Sequence, residues 1–127
     1  MSWSYDHVHL KASDLDRTIS FYEKNFNAEK KFSRELRGMS IVGMDINGMT
    51  LLISDAAEGE NPKQGSADPQ FGLIHFGLRC DNLEQKIAEL KNNGVEFTMD
   101  LTDIGGGTKI AFIKAPDEVL IELLQRG

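Results

Sequence analysis

Apolar and polar side chains alternate near the start of the chain. Val8, Leu10 and Ala12 interleave with His7, His9 and Lys11, a period of two that predicts a strand with one apolar and one polar face. Ser13 or Asp14 then caps a helix whose apolar positions Leu15, Ile19, Tyr22 and Phe26 recur at helical spacing, with Asn27 as its stop. Residues 28–36 read as a strand, and 39–46 and 49–55 as a hairpin turning through Asn47-Gly48. The stretch from Ala56 to Pro69 is polar and rich in turn formers, which predicts a linker. Beyond it, a strand over 72–80 places Phe76, Leu78 and Cys80 on one face and His75, Gly77 and Arg79 on the other. A helix over 82–93 follows, with Leu83, Ile87 and Leu90 as its apolar stripe and Gly94 as its stop. Strands near 95–101, 109–114 and 118–125 complete the chain.

The second half repeats the first. An offset of 68 pairs His7 with His75, Leu10 with Leu78, Lys11 with Arg79, Leu15 with Leu83 and Ile19 with Ile87. Two unrelated strand-helix units would share apolar positions, but not His with His and base with base, so the pattern indicates an internal duplication. At the hairpins an offset of 70 pairs Asn47 with Asp117, Leu51 with Ile121 and Leu52 with Glu122. Each half is then β-α-β-β-β, over residues 1–56 and 71–127, joined by a linker at 57–70. The expected fold is α+β: two βαβββ modules forming a curved mixed sheet, helices outside, around a metal-binding cavity.

In that arrangement His7 and His75 reach the concave face from equivalent first strands, and Glu122 from a last strand. Two imidazoles and a carboxylate converging in a sheet cavity make a divalent-cation site with positions left open for substrate. The plainer alternative is three isolated polar residues on half-exposed strands. His9 shares the face of His7 and stands as a candidate general acid or base, the alternative being a rim histidine bonded to a neighbour. Lys11 and Arg79 flank the ligand strands as anchors for a substrate anion, or as solvated rim charges. Gly105, Gly106 and Gly107 read as a mobile loop over the cavity or as a plain turn. Met39, Met44 and Met49 read as core or interface filling. Trp3 and Tyr5 either pack at a dimer interface or line the cavity.

Composition narrows the partners. The chain of 127 residues carries 20 acidic and 14 basic side chains, a net charge of −6, with no basic run to engage nucleic acid or an anionic membrane. No apolar stretch approaches the roughly 20 residues of a membrane span, and no signal-peptide pattern opens the chain, so a cytoplasmic protein is expected. The one cysteine, Cys80, has no internal disulfide partner and falls on the apolar face, which predicts an inert buried thiol.

The run from His7 through Asp14 to Phe21-Tyr22, with Gly106-Gly107-Thr108 and Pro116-Asp117 through Ile121-Glu122-Leu123, resembles the opening and closing motifs of the vicinal oxygen chelate superfamily. This is the glyoxalase/bleomycin resistance protein/dioxygenase group, and the match to glyoxalase I is strongest in the closing region. The resemblance implies a paired βαβββ fold, often completed as a homodimer. It also implies a divalent metal ion (Fe, Mn, Ni, Co or Zn) on His7, His75 and Glu122, with Glu122 also catalytic. It puts Leu52 where glyoxalase I carries a second glutamate, and leucine neither binds metal nor moves a proton. The implied function is a metal-dependent enzyme acting on a small substrate chelated through vicinal oxygens, with isomerase or lyase chemistry first. Thiol transfer, extradiol cleavage, and non-catalytic drug or metabolite binding of the bleomycin-resistance type are the alternatives.

Overall fold

In the computed structural model, which describes residues 2–127, the chain forms two units, Met1–Lys63 and Gln64–Gly127. Each builds its own four-stranded mixed sheet with one helix.

In the first unit, β1 (His7–Lys11) is followed by α1 (Leu15–Phe26), then β2 (Glu29–Leu36), β3 (Met39–Ile46) and β4 (Met49–Ser54). Asp14 caps α1 by accepting from the Arg17 amide at 3.1 Å, and Asn27 ends it in the left-handed region at φ 53°, both as the local chemistry predicts. The sheet order is β1-β4-β3-β2, with β1 parallel to β4 and the other pairs antiparallel. The helix packs on β4. It covers the face that buries Val42, Met44, Leu51 and Ile53, and Tyr22 is wholly buried. Asn47 and Gly48, at φ 46° and 95°, make the predicted two-residue turn.

The second unit repeats the plan: β5 (Phe76–Arg79), α2 (Leu83–Asn92), β6 (Glu96–Gly105), β7 (Thr108–Ala115) and β8 (Val119–Gln125), in the order β5-β8-β7-β6. Asn82 caps α2 by accepting from the Gln85 amide at 3.1 Å. Leu83, Ile87 and Leu90 are buried, as are Ala111, Ile113, Ile121 and Leu123 of the sheet.

Two local expectations change and one open alternative is resolved. The strand expected over 72–80 begins only at Phe76, which pairs with Ile121 of its parallel neighbour. Upstream that neighbour leaves the sheet in a tight helical turn at Pro116–Glu118, with Asp117 and Glu118 both at φ 63°, which removes the ladder opposite residues 72 and 73; Ile74 and His75 stand level with Val119 and Leu120 of β8 but do not pair with them. The Gly105–Gly107 run is a turn: Gly105 pairs with Thr108, and all three glycines have positive φ, where a Cβ is disfavoured. Cys80 is half-buried rather than fully buried, and partial desolvation pushes its thiol above the ordinary pKa, which keeps it a weak nucleophile. Among the described residues no helix is long and apolar enough to cross a membrane.

Candidate functional site

The residues expected to carry chemistry occupy the sheet faces opposite the helices. On β1, His7, His9 and Lys11 share one face because side chains two apart do. The strand register extends this face across the unit in rows, one of which runs His9, Leu52, Gly43, Phe32. A Cβ built on Gly43 would lie 2.1 Å from Phe32 Cε1. The Phe32 ring therefore lies over the glycine, filling the place a side chain of β3 would take.

Each of the three candidate groups of β1 on this face has a partner. His7 Nδ1 lies 2.6 Å from Asp6 Oδ2. A ring nitrogen donating to a carboxylate leaves the other nitrogen with its lone pair outward, the arrangement that orients metal-binding imidazoles. His9 Nε2 lies 2.7 Å from the hydroxyl of Ser54, which is fully buried. Lys11 pairs with Glu60 and has Met39 Sδ 3.7 Å away. Glu60 is held in turn by the Ala57 amide at 2.9 Å, so the linker folds back onto the end of β1. The Lys11 charge that the sequence offers to a substrate anion is thus already matched by a carboxylate.

Burial, then the charges of Lys11 and His7, hold His9 below the ordinary imidazole value of 6.5, against a smaller opposing pull from Glu60. As pH falls through 6.5, the unfolded chain takes up this proton before the folded chain does, so stability falls with it. The expected result is a urea midpoint that declines between neutral and mildly acidic pH, with a shallower decline in His9→Gln. Equal slopes would remove His9 as a cause.

In the second unit His75 sits just before β5. Its Nε2 lies 3.2 Å from Glu122 Oε1, with both side chains about one quarter exposed. The His75 ring meets Phe112 edge-on at 5.0 Å between centroids. Its Nδ1 is buried without a hydrogen-bond partner among the described residues. A buried acceptor tolerates that better than a buried N–H, so the proton sits on Nε2 and is donated to Glu122. Arg79, on the same face, is exposed and has no ion-pair partner among the described residues.

Of the three expected ligands the structure thus brings together His75 and Glu122, while His7 belongs to the other unit. Among the described residues no group of three metal-binding side chains is assembled. The pair that is assembled fits a cation in its spacing, and coordination through Nε2 requires the imidazole proton to move to Nδ1, which is buried without a partner among the described residues. Two donors about 2.1 Å from one ion and at right angles stand roughly 3.0 Å apart, close to the 3.2 Å observed. An imidazole with a carboxylate is a donor set suited to divalent transition metals.

The profile of the Glyoxalase/Bleomycin resistance protein/Dioxygenase superfamily matches residues 4–123. The chain belongs to this superfamily. It is 29% identical over 131 aligned positions to a lactoylglutathione lyase of Arabidopsis thaliana, covering 95% of this chain and 44% of the plant protein, so it spans less than half of that relative. The crystal structure of a glyoxalase family protein from Bacillus cereus superposes with a TM-score of 0.86 at 15% identity, over 100% of this chain and 97% of the other. A fosfomycin resistance protein of Listeria monocytogenes, in complex with Mn(II) and sulfate, superposes with a TM-score of 0.75 at 19% identity, over 100% and 95%.

For a superfamily member, the register at Leu52 is informative. Leu52 is the cross-strand partner of His9, and Glu122 is the partner of Gly77. These are matching rows of the two repeats. One row carries an imidazole on its first strand and an apolar residue on its last; the other carries no side chain on its first strand and a carboxylate on its last. Each unit therefore offers one proton-active group in that row, from opposite strands. The sequence pointed to His9 and Glu122 but not to Asp6, Ser54, Glu60 or Phe112. Asp6 was adjacent to a candidate ligand, Ser54 becomes visible only once the β1–β4 register is known, and Glu60 lies in a linker with no periodicity to place it.

Proposed function

We propose that this chain is a divalent-metal-dependent enzyme acting on a small substrate that chelates through vicinal oxygens, with lyase or isomerase chemistry. The observation that carries the reading is the His75–Glu122 pair, half-buried and spaced like adjacent ligands of one cation. The superfamily and the lactoylglutathione lyase name of the plant relative support it, as does Mn(II) in the Listeria structure. His7 is proposed as the third ligand from its place in the opening motif, and its Asp6 contact leaves the right nitrogen available. The metal could be Fe, Mn, Ni, Co or Zn. When bound, it supplies Lewis-acid polarisation of the substrate oxygens.

The chain's own residues do the rest. Phe112 holds the His75 ring in place by edge-on packing. Glu122, the carboxylate of its row, is the group able to accept a proton from a substrate carbon, and Leu52 leaves the first unit without a second one. His9, the proton-active group of the first unit's row, is proposed as the second catalytic residue. Arg79, with its charge uncompensated, is the better anchor for a substrate anion; Lys11 contributes only where the substrate displaces Glu60. The two repeats, 1–56 and 71–127 about the linker 57–70, act as one domain in a cytoplasmic homodimer.

Calorimetric titration of the metal-stripped protein with Mn(II), Ni(II) and Zn(II) tests the reading. Saturable binding at one cation per chain is expected, and absence of binding at micromolar concentration would overturn it.

A further inference from the structure

Ser54 ends β4 beside Lys11, its cross-strand partner, and has no exposed surface. Among the described residues, His9 Nε2 at 2.7 Å is the sole hydrogen-bond partner of its hydroxyl. That hydroxyl has one proton and two lone pairs. Were Nε2 to carry the imidazole proton and donate it, the Ser54 O–H would be left buried with no acceptor, an unfavourable state. With Nε2 unprotonated, Ser54 donates to it and the buried proton is satisfied. Only lone pairs then go unused, which a buried oxygen tolerates.

We propose that Ser54 is a positioning residue that locks neutral His9 in the Nδ1–H tautomer, so that His9 offers the substrate a hydrogen-bond donor rather than a base. Its basic nitrogen is turned into the strand and occupied by Ser54, and the remaining nitrogen carries the proton. A neutral imidazole held this way polarises an oxygen as charge develops on it and does not take a proton from carbon. That division of labour leaves proton abstraction to Glu122. This consequence for the reaction rests on the reading of the face as the substrate site; the tautomer itself does not.

The two other histidines provide reference signals. His7 donates through Nδ1 to Asp6, and His75 through Nε2 to Glu122, so one spectrum contains both patterns. Nitrogen-15 NMR of the metal-free, imidazole-labelled chain at about pH 8, above the ordinary imidazole range, distinguishes a protonated ring nitrogen from an unprotonated one. The expected result is a protonated Nδ1 and unprotonated Nε2 at His9. Ser54→Ala is expected to move His9 to the Nε2–H form that free histidine prefers, and Ser54→Thr, which keeps a hydroxyl, to retain Nδ1–H.

An Nε2–H signal at His9 in the unsubstituted chain would overturn the proposal. So would an unchanged tautomer in a Ser54→Ala chain whose His75 signals show it folded. If Ser54→Ala does not fold, the unsubstituted spectrum decides alone. Since no metal is present, the outcome is independent of the cation titration, and either can fail without the other.

Discussion

Replacing Glu122 with glutamine is expected to weaken divalent-cation binding by well over the roughly 10–100-fold that loss of an outer-shell partner produces, while leaving the fold intact. The two halves of that expectation have separate grounds. Glutamine matches glutamate in size and keeps a carbonyl oxygen able to accept from His75 Nε2, so the 3.2 Å contact survives. It lacks the negative charge that makes a carboxylate a good ligand for a hard or borderline cation. In the metal-free chain the change is therefore close to silent, and a thermal midpoint within a few degrees of the parent is expected. With cation present, the parent gains stability by mass action and the variant does not. The measurement is the shift in midpoint on adding Mn(II) or Ni(II) to each. A variant that responds as strongly as the parent would remove Glu122 from the coordination sphere.

The second large effect concerns the layer beneath that carboxylate. Ile121 has no exposed surface. It lies in β8, between β5 and β7 in the sheet, with Phe76 and Ile113 as its cross-strand partners. Ile121→Ala is expected to destabilise the chain by about 2–5 kcal/mol, the range for truncating a buried branched residue whose surroundings cannot close over the void. Against a usual total of about 5–15 kcal/mol, that is a large share. Leu51, the equivalent position in the other repeat and equally buried, is expected to behave alike. Urea unfolding monitored by circular dichroism gives the number. A loss under about 1 kcal/mol at Ile121 would mean that this layer is not tightly packed. Glu122 follows Ile121 and faces the other way, so loosening the layer is also expected to weaken the cation response.

The sequence allows much of this to be read because strands and helices write their faces into it. The alternation at His7, His9 and Lys11, the cap at Asp14, and the Asn47-Gly48 turn are local, and each appears where expected. The repeat carried more: pairing Leu52 with Glu122 by offset agrees with the strand register, which puts them in matching rows. What escaped depends on partners distant in sequence. Residues 72–75 look like strand in isolation, but they do not pair with the neighbouring chain, which opposite residues 72 and 73 has already turned away at Pro116–Glu118. Ser54 stands 45 residues from His9 and Glu60 49 from Lys11, and no periodicity links either pair. The glycine run left loop and turn open because glycine suits both, and the Gly105–Thr108 pairing resolves it.

Gly43 and Phe32 bear on how readily such a face can change its shape. In the first unit, the bulk at this point comes from a ring on the neighbouring strand lying over a bare stretch of backbone; in the matching row of the second, Phe112 occupies β7 itself. Shortening the residue at 32, which sits in an edge strand, therefore opens the face of the first unit. In the second, the same gain would sacrifice the ring that steadies His75. Loss of bulk at residue 32 thus touches an edge strand alone, while loss of Phe112 also removes the edge-on packing of His75.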